Sequence, residues 1–256
     1  MRVDSPTAYP MPRRTFTPPA PRPSRPAGDP FADQVALFLE QYPRGFRDPR
    51  WLADQRGQGA TKRLKRHRDP ALRDAQDLLA RVDADPLELT AALSEVLSKT
   101  TLVGSRHVKR LQQLPADRAR RLGKGLQHLL RTGSLVGYVR ALAEAGVPAS
   151  WPLVSAPLAL AWPQAEVYVK PKLLARQAKR IGRSVDPGAA RTDLDYVVFR
   201  GLLAEVRKRC EAAGLEPQDG FDVVDFVWTT LRPMAQATLA GAHQRRQARR
   251  RTEEAA

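Results

Sequence analysis

Two aspartates in the second half of the chain are spaced so that they could hold a metal ion. Asp222 and Asp225 lie three residues apart in a segment of helical periodicity, so both carboxylates would share one face of a helix. Such a pair can bind a divalent cation for phosphodiester cleavage, and Lys170 would then stabilise the charge that develops on the phosphate. An aspartate just after Gly220 more often caps the start of a helix or lies at the surface. These three residues are the catalytic candidates, and the sequence favours the capping or surface role for the aspartates.

Other signatures of enzymes and metal sites are missing from the sequence. There is no glycine-rich phosphate loop followed by Lys-Ser or Lys-Thr, and there is no Gly-x-Ser-x-Gly elbow. The histidines, His67, His107, His128 and His243, are scattered and have no cysteine partners at zinc spacing. The single cysteine, Cys210, excludes an intramolecular disulfide and is typical of a reducing cytoplasm. We therefore expect no metal and no cofactor; enzymatic activity stays open, and a non-catalytic protein is favoured.

Positive charge is concentrated in four blocks of the chain. Residues 44–68, 99–124, 170–183 and 232–251 carry net charges of +7, +7, +6 and +6, which together exceed the +16 of the whole chain. The remainder is acidic, so the basicity is localised, as expected of a surface that meets a polyanion. An arginine-rich composition imposed by a GC-rich genome is the alternative explanation for any one block.

The first three blocks supply the candidate contacts to nucleic acid. Residues 61–68 have almost no apolar stripe and predict an exposed basic loop or short helix. The second block predicts two short helices joined at Leu114-Pro115, similar to a helix-turn-helix and with Ser105 as N-cap. The third predicts a basic amphipathic helix, for which a membrane surface, an acidic protein and a phosphate backbone all stay open. The candidate residues are Lys62, Arg63, Lys65, Arg66, Arg68, Arg106, Lys109, Arg110, Arg118, Arg120, Arg121, Lys124, Lys170, Lys172, Arg176, Lys179 and Arg180.

Three aromatic residues are interleaved with the cations of the first block. Tyr42, Phe46 and Trp51 could stack on exposed bases. Their position at a helix end and a turn favours the other role, which is to seal a hydrophobic core.

Asp-Pro pairs predict a series of short helices. Asp29-Pro30, Asp48-Pro49, Asp69-Pro70 and Asp85-Pro86 each place an N-cap residue before a proline in the first turn. Apolar periodicity predicts further helices at about 105–113, 116–131, 134–145, 171–181, 193–213 and 221–230. The fold class is therefore mainly α, a single domain of many short helices with at most one or two short strands.

Three segments carry more specific expectations. Residues 166–169 could form a short strand, and residues 151–163 form either a buried helix or an extended core segment interrupted by prolines. The helix at 193–213 is expected to bury one stripe, made of Leu194, Val197, Val198, Leu202, Val206 and Cys210. Cys210 is thus expected to be a core residue and not a reactive thiol.

The chain divides into three parts. Residues 1–28 hold eight prolines and five arginines and are expected to be a disordered arm. Residues 29–231 form the predicted helical domain, and residues 232–256 form an arginine-rich tail. No run of about 18 apolar residues is present, so we expect no transmembrane segment and a cytoplasmic location that includes the nucleoid.

Three motifs occur in an order that is shared with a known group of proteins. They are Phe38-Leu-Glu-Gln-Tyr-Pro-Arg-Gly-Phe-Arg-Asp-Pro-Arg-Trp-Leu52, Val169-Lys-Pro171 followed by Ala178 and Gly182, and Phe221-Asp-Val-Val-Asp-Phe-Val-Trp228. They resemble the Phe-Leu-x-x-Tyr-Pro-x-Gly-Phe-x-Asp-Pro-x-aromatic-Leu, Leu-Lys-Pro and Ile-Asp-Val-x-x-Phe-x-Trp motifs of an uncharacterised bacterial family. That family is associated with restriction and phage-defence loci, and some members carry McrB-like ATPase modules.

The resemblance changes the expected roles of several residues. It implies that Tyr42, Phe46, Trp51, Phe226 and Trp228 are core residues. It also implies a functional or buried polar role for Lys170 and Asp222, and a bacterial DNA-processing or defence context, but it supplies no catalytic residue.

The leading hypothesis is a non-catalytic protein that binds nucleic acid, DNA in preference to RNA, through phosphate contacts with little sequence specificity. The alternative is a helical adaptor whose basic surface docks on an acidic partner protein such as an ATPase or a nuclease.

Overall fold

The computed structural model describes residues 29–235 and 237 of the chain. The predicted N-terminal arm and nearly all of the predicted C-terminal tail lie outside these residues. Within them the regular structure is helical and no strand is present, which confirms the mainly α class. The helices are α1 (Pro30–Gln41), α2 (Pro49–Trp51), α3 (Arg68–Ala80), α4 (Pro86–Ser98), α5 (Ser105–Gln112), α6 (Ala116–Thr132), α7 (Leu135–Glu144), α8 (Trp151–Ala161), α9 (Pro171–Arg180), α10 (Asp193–Ala212) and α11 (Gly220–Leu231). A 3₁₀ turn (Gly45–Arg47) precedes α2, and a π-helical turn (Leu52–Arg56) follows it.

Aspartate caps start three of the helices, as the Asp-Pro pairs predict. Asp29, Asp48 and Asp85 accept hydrogen bonds from the backbone N–H two residues ahead, at 2.9, 2.9 and 2.7 Å. The fourth pair behaves differently, because α3 begins at Arg68 and includes Asp69 in its first turn. The Asp69 carboxylate instead faces Arg56, whose Nε lies 2.6 Å away.

Two glycines allow α6 to pack closely between α4 and α7. A Cβ atom at Gly123 would lie 1.8 Å from the carbonyl oxygen of Pro86, at the start of α4. A Cβ atom at Gly125 would lie 2.7 Å from the Cβ of Ala141 in α7. Because consecutive helical residues are rotated by about 100°, these two glycines face opposite sides of α6.

An aromatic cluster joins α1, the segment around α2, and α11. The ring of Phe38 lies 5.3 Å from Tyr42, 4.9 Å from Phe46, 5.1 Å from Trp51 and 5.2 Å from Phe226, between centroids. All five side chains are buried. Their role in the core is therefore confirmed, and the interpretation of Tyr42, Phe46 and Trp51 as base-stacking residues is wrong.

The buried face of α10 differs from the predicted stripe. Leu194, Val197 and Val198 are exposed to 76%, 57% and 46%, so this part of the prediction is wrong. The buried residues are Tyr196, Phe199, Leu202, Leu203, Val206 and Cys210. Trp151 explains the rotation of the helix, because its ring stacks on Tyr196 and meets Phe199 edge-on, at 6.3 and 5.2 Å between centroids. Cys210 is buried, as expected.

The two ambiguous segments are also settled. Residues 151–161 are a buried helix that continues through Pro157. Residues 166–169 are extended but form no strand, because their backbone pairs with side chains. The Tyr196 hydroxyl accepts from Val167 N and donates to Val167 O, both at 3.1 Å, and Val169 N donates to Ser155 Oγ at 2.9 Å.

Candidate nucleic-acid interface

A buried ionic network underlies the predicted site residues. The Arg56 guanidinium is surrounded by three carboxylates, with nitrogen–oxygen distances of 2.6 Å to Asp69, 2.8 Å to Asp219 and 3.5 Å to Asp222. Asp222 also accepts hydrogen bonds from Trp51 Nε1 at 3.1 Å and from the backbone N–H of Gln218 at 2.8 Å. Since the residues come from both ends of the domain, the network ties α2 to the start of α11.

A second buried ion pair lies one helical turn further along α11. Asp225 accepts two hydrogen bonds from Arg68, both at 2.8 Å, from Nε and Nη2. The Arg68 guanidinium also lies over the ring of Phe221, 5.4 Å from its centroid. Arg68 therefore has no face free for a phosphate, and its prediction as a nucleic-acid contact is wrong.

The two aspartates predicted as metal ligands or surface caps fill neither role. Asp222 and Asp225 are buried, and arginines, Trp51 and a backbone N–H occupy their oxygens. The N-cap of α11 is Asp219, which accepts from the backbone N–H of Phe221 and Asp222. In the described residues no group of three or more His, Cys, Asp or Glu side chains could hold a metal ion.

Burial raises the pKa of Asp222 to about 7, although the Arg56 guanidinium acts in the opposite direction. Desolvation is the main cause, and the neighbouring Asp219 carboxylate raises the pKa of Asp222 further, because two like charges would then lie in one buried cluster. Asp222 therefore takes up a proton at acidic pH.

This proton makes the stability of the protein depend on pH. The folded pKa of Asp222 lies above the value of about 3.9 for an unfolded aspartate, so folding is favoured at low pH. The free energy of unfolding should decrease as pH rises from about 4 to about 7. Asp222→Asn has the charge of the protonated form at every pH. In urea titrations its free energy of unfolding should therefore depend less on pH than that of the unaltered protein. Asp117→Asn, at an exposed pair with Arg121, is the control and should leave the slope unchanged. An unaltered slope in Asp222→Asn would contradict the assignment.

The loop at 61–66 is held against the domain by its backbone and by His67. Leu64 N donates to the buried His67 Nδ1 at 3.1 Å, and Thr101 N donates to Lys65 O at 3.1 Å. Gly57 permits this arrangement, since it has a φ of 82° and a Cβ there would lie 2.8 Å from the His67 ring. The loop is thus fixed beside the segment that leads into α5.

The cations of this loop fall into two groups. Arg63 pairs with Asp74 at 2.7 Å, and Arg66 pairs with Asp54 at 3.7 Å. Lys62 and Lys65 are exposed and form no ion pair with any described residue. The two lysines are therefore available to a ligand.

Helix α5 continues this exposed basic surface. Arg106, Lys109 and Arg110 recur at helical spacing on its exposed side, while Val108 and Leu111 are buried. None of the three cations is paired within the described part of the chain. Gly104, and not the predicted Ser105, is the N-cap, and no side chain caps the helix.

Helix α6 has a mixed set of cations. Arg120 lies 3.7 Å from Asp85, and Arg121 lies 2.7 Å from Asp117. Arg118 and Lys124 are exposed and have no ion pair among residues 29–235. Both α5 and α6 pack on α4. The charge of α6 is thus partly compensated within the protein.

Helix α9 buries the apolar face that the sequence predicts. Leu173, Leu174 and Ala178 are buried, and the helix packs against α11 and α10. Its apolar side is therefore covered by the domain and is not available to a membrane surface. In the described chain no helix combines the length and the apolar character needed to cross a bilayer.

The cations of α9 are not equivalent. Lys172 and Lys179 are exposed and unpaired in the described region, whereas Arg176 donates to the backbone oxygen of Leu231. Arg180 is partly buried. Within α9 itself these two lysines are therefore available to a ligand.

Lys170 directly precedes α9 and lies close to two aromatic rings. Its ammonium lies 5.6 Å from the ring centroid of Tyr168 and 5.2 Å from that of Trp228. The Tyr168 hydroxyl donates a hydrogen bond to the backbone oxygen of Leu102. The preceding residue, Thr101, donates its backbone N–H to the carbonyl oxygen of Lys65 in the loop. These two hydrogen bonds link the segment just before α9 to the loop at Lys65. We call the exposed cations of the loop and of α5 the basic surface: Lys62, Lys65, Arg106, Lys109 and Arg110.

Sequence reasoning missed two features of this region. Burial of charged side chains was not expected beyond Lys170 and Asp222, for which the family resemblance implied a functional or buried polar role. Trp228, expected in the core, is 52% exposed. Its spacing gives a signal in retrospect: Trp228 lies two residues after Phe226, so both rings cannot face the same side of a helix.

No protein-family model, no curated protein and no solved structure matches the chain. The resemblance to the restriction-associated bacterial family therefore stays a prediction that depends on the three motifs.

Proposed function

We propose that the protein binds nucleic acid, with DNA favoured over RNA, through phosphate contacts that tolerate many sequences. The observation that carries the proposal is the basic surface, whose cations are exposed and have no ion pair with the described residues. Elsewhere in the domain many exposed arginines face an acid, as Arg47 faces Glu216 and Arg140 faces Glu144. Unpaired like charges repel one another, and a polyanion removes that repulsion.

The form of the surface supports backbone contact over base reading. Its lysines lie on a fixed loop, and its arginines lie on the exposed side of α5. Because α5 buries its other face against α4, it offers a row of cations to phosphates. A bacterial DNA-processing or defence context is part of the proposal and comes from the three motifs.

A salt titration of binding tests the proposal. Each phosphate contact adds about 0.9 to the slope of log affinity against log salt for duplex DNA. The triple variant Lys65→Gln, Arg106→Gln, Arg110→Gln should reduce that slope by about 2 to 3 and the affinity at 0.1 M salt by about 100-fold. Binding of the full chain to a labelled duplex, measured by fluorescence anisotropy, gives both values.

A matched control removes the same charge from other parts of the domain. The triple variant Arg47→Gln, Arg131→Gln, Arg140→Gln replaces exposed arginines that are paired with acids. It should bind nearly as well as the unaltered protein. A flat salt response of the unaltered chain, or equal losses in the two triple variants, would contradict the proposal.

A second candidate function is the adaptor, and one observation favours it. Leu194, Val197 and Val198 leave an apolar face of α10 uncovered. Beside it runs a groove of about 450 Å³ whose lining includes Val197, Arg200 and Arg207. Both arginines are paired within the domain, with Glu166 and Glu211, so this surface suits the apolar face of a partner helix. One stoichiometric partner that co-purifies and survives nuclease treatment would favour this candidate.

A further inference from the structure

Trp228 stands out in α11 because the rest of that helix is enclosed. The other residues from Gly220 to Leu231 are buried, whereas Trp228 is 52% exposed. An indole ring is the largest apolar side chain that a helix can present to water, and aromatic rings at such positions are suited to contacts with a flat ligand.

Lys170 lies against this indole and against the ring of Tyr168. Its ammonium is 5.2 Å from the Trp228 ring centroid, and it forms no hydrogen bond or ion pair with a described residue. Asp225, whose charge acts on Lys170, has both oxygens occupied by Arg68. The three N–H donors of Lys170 are therefore free to bind an acceptor from outside the protein.

The local charges favour an anionic acceptor. Arg68 and Asp225 neutralise each other, so the net positive charge beside Trp228 comes from Lys170. Lys172 is exposed two residues further along the chain and adds a second positive charge. Burial lowers the pKa of Lys170, and two aromatic rings lie beside its ammonium.

We infer that Trp228 and Lys170 form a binding site for one unpaired nucleotide of a nucleic-acid strand. The base stacks on the open part of the indole, and the ammonium donates hydrogen bonds to the adjoining phosphate. The site requires an unpaired base, because the bases of a duplex are already stacked on one another. The inference is based on the proposed function and narrows it to a preference for single strands, or for duplexes with an extruded base.

The test compares two oligonucleotides that differ in their bases alone. The first is a short labelled oligo-thymidine, and the second has the same number of phosphates but carries abasic residues. The unaltered full chain should prefer the thymidine strand. Stacking of one base on an aromatic ring predicts an affinity difference of about 5- to 150-fold. Anisotropy titrations at one salt concentration measure both affinities.

Three variants separate stacking from other effects. Trp228→Ala should lower the affinity for the thymidine strand by about 5- to 150-fold. It should leave the affinity for the abasic strand unchanged. Trp228→Phe keeps a ring and should retain most of the preference. Trp162→Ala removes the indole at the end of α8, which is 37% exposed, and should behave like the unaltered protein. Melting temperatures show that each variant is folded.

The outcomes distinguish the inference from the proposed function. Equal affinity of the unaltered chain for the two strands would overturn the stacking site while phosphate binding stands. Equal losses of Trp228→Ala on both strands would also overturn it, since the ring would then act on the phosphates or on the fold. If the chain binds neither strand and no duplex, both the inference and the proposed function are wrong.

Discussion

Arg68→Ala is expected to lower the free energy of unfolding by about 3–5 kcal/mol, since it removes one partner of a buried ion pair. Asp225 would remain in the protein interior with a charge and without the two hydrogen bonds that it accepts at 2.8 Å. The phenyl ring of Phe221 would also lose the guanidinium that lies over it. Urea denaturation followed by circular dichroism at pH 7 measures the loss.

Two further variants make the measurement specific. Arg66→Ala removes the same charge two residues away, at an exposed pair with Asp54, and should change the stability by less than about 1 kcal/mol. Replacing both partners, as Arg68→Met with Asp225→Leu, leaves no unpaired charge and should recover most of the lost stability. If Arg68→Ala denatures at the same urea concentration as Arg66→Ala, the ion pair does not stabilise the fold.

Gly123→Ala is expected to destabilise the domain by about 3 kcal/mol or more, the upper part of the range for overpacked cores. The added methyl group would lie 1.8 Å from Pro86 O and 2.4 Å from Pro86 C. These are backbone atoms in the first turn of α4, so no side-chain rotation relieves the overlap, and α4 and α6 must separate.

Helix propensity alone would predict that Gly123→Ala stabilises the domain, which is the opposite of the expected result. A glycine-to-alanine substitution at an uncrowded position therefore serves as the control. Alanine is favoured over glycine in a helix by about 1 kcal/mol. Gly201→Ala in α10 should therefore stabilise the protein by up to about that amount, because a Cβ at Gly201 has no atom within 4 Å. Thermal denaturation of the two variants should give melting temperatures that move in opposite directions. A higher melting temperature for Gly123→Ala would show that the two helices are not in close contact.

The helices could be predicted from the sequence because local interactions determine where they begin. Asp29, Asp48 and Asp85 cap α1, α2 and α4 through bonds to residues two positions away. Asp69 has the same local sequence and a different role, because Arg56 lies beside it in space. Local sequence therefore determines the helix ends except where a tertiary ion pair competes for the cap.

The candidate site could be predicted only in part, because exposure depends on distant residues. Lys62 and Lys65 were expected at the surface and lie there. Arg68 belongs to the same basic run, but its partner Asp225 is 157 positions away in the sequence. No pattern within the run distinguishes Arg68 from its neighbours.

The buried face of α10 also could not be predicted from its own sequence. Helix α10 has apolar residues on more than one side, so periodicity allows several buried stripes. The position of Trp151 selects the stripe that contains Tyr196 and Phe199. The side that remains uncovered, with Leu194 and Val197, is the basis of the adaptor candidate.

The contact between α1 and α11 also determines when this part of the domain can fold during synthesis. Phe38 meets Phe226, and Gln34 donates to Thr230 Oγ1 at 2.9 Å, across nearly two hundred residues of chain. A nascent chain that ends before α11 has an incomplete aromatic cluster and leaves Arg56 without Asp219 and Asp222. Helix α1 must therefore wait for α11, and premature termination within α10 would yield a chain with an open core that quality-control proteases can recognise.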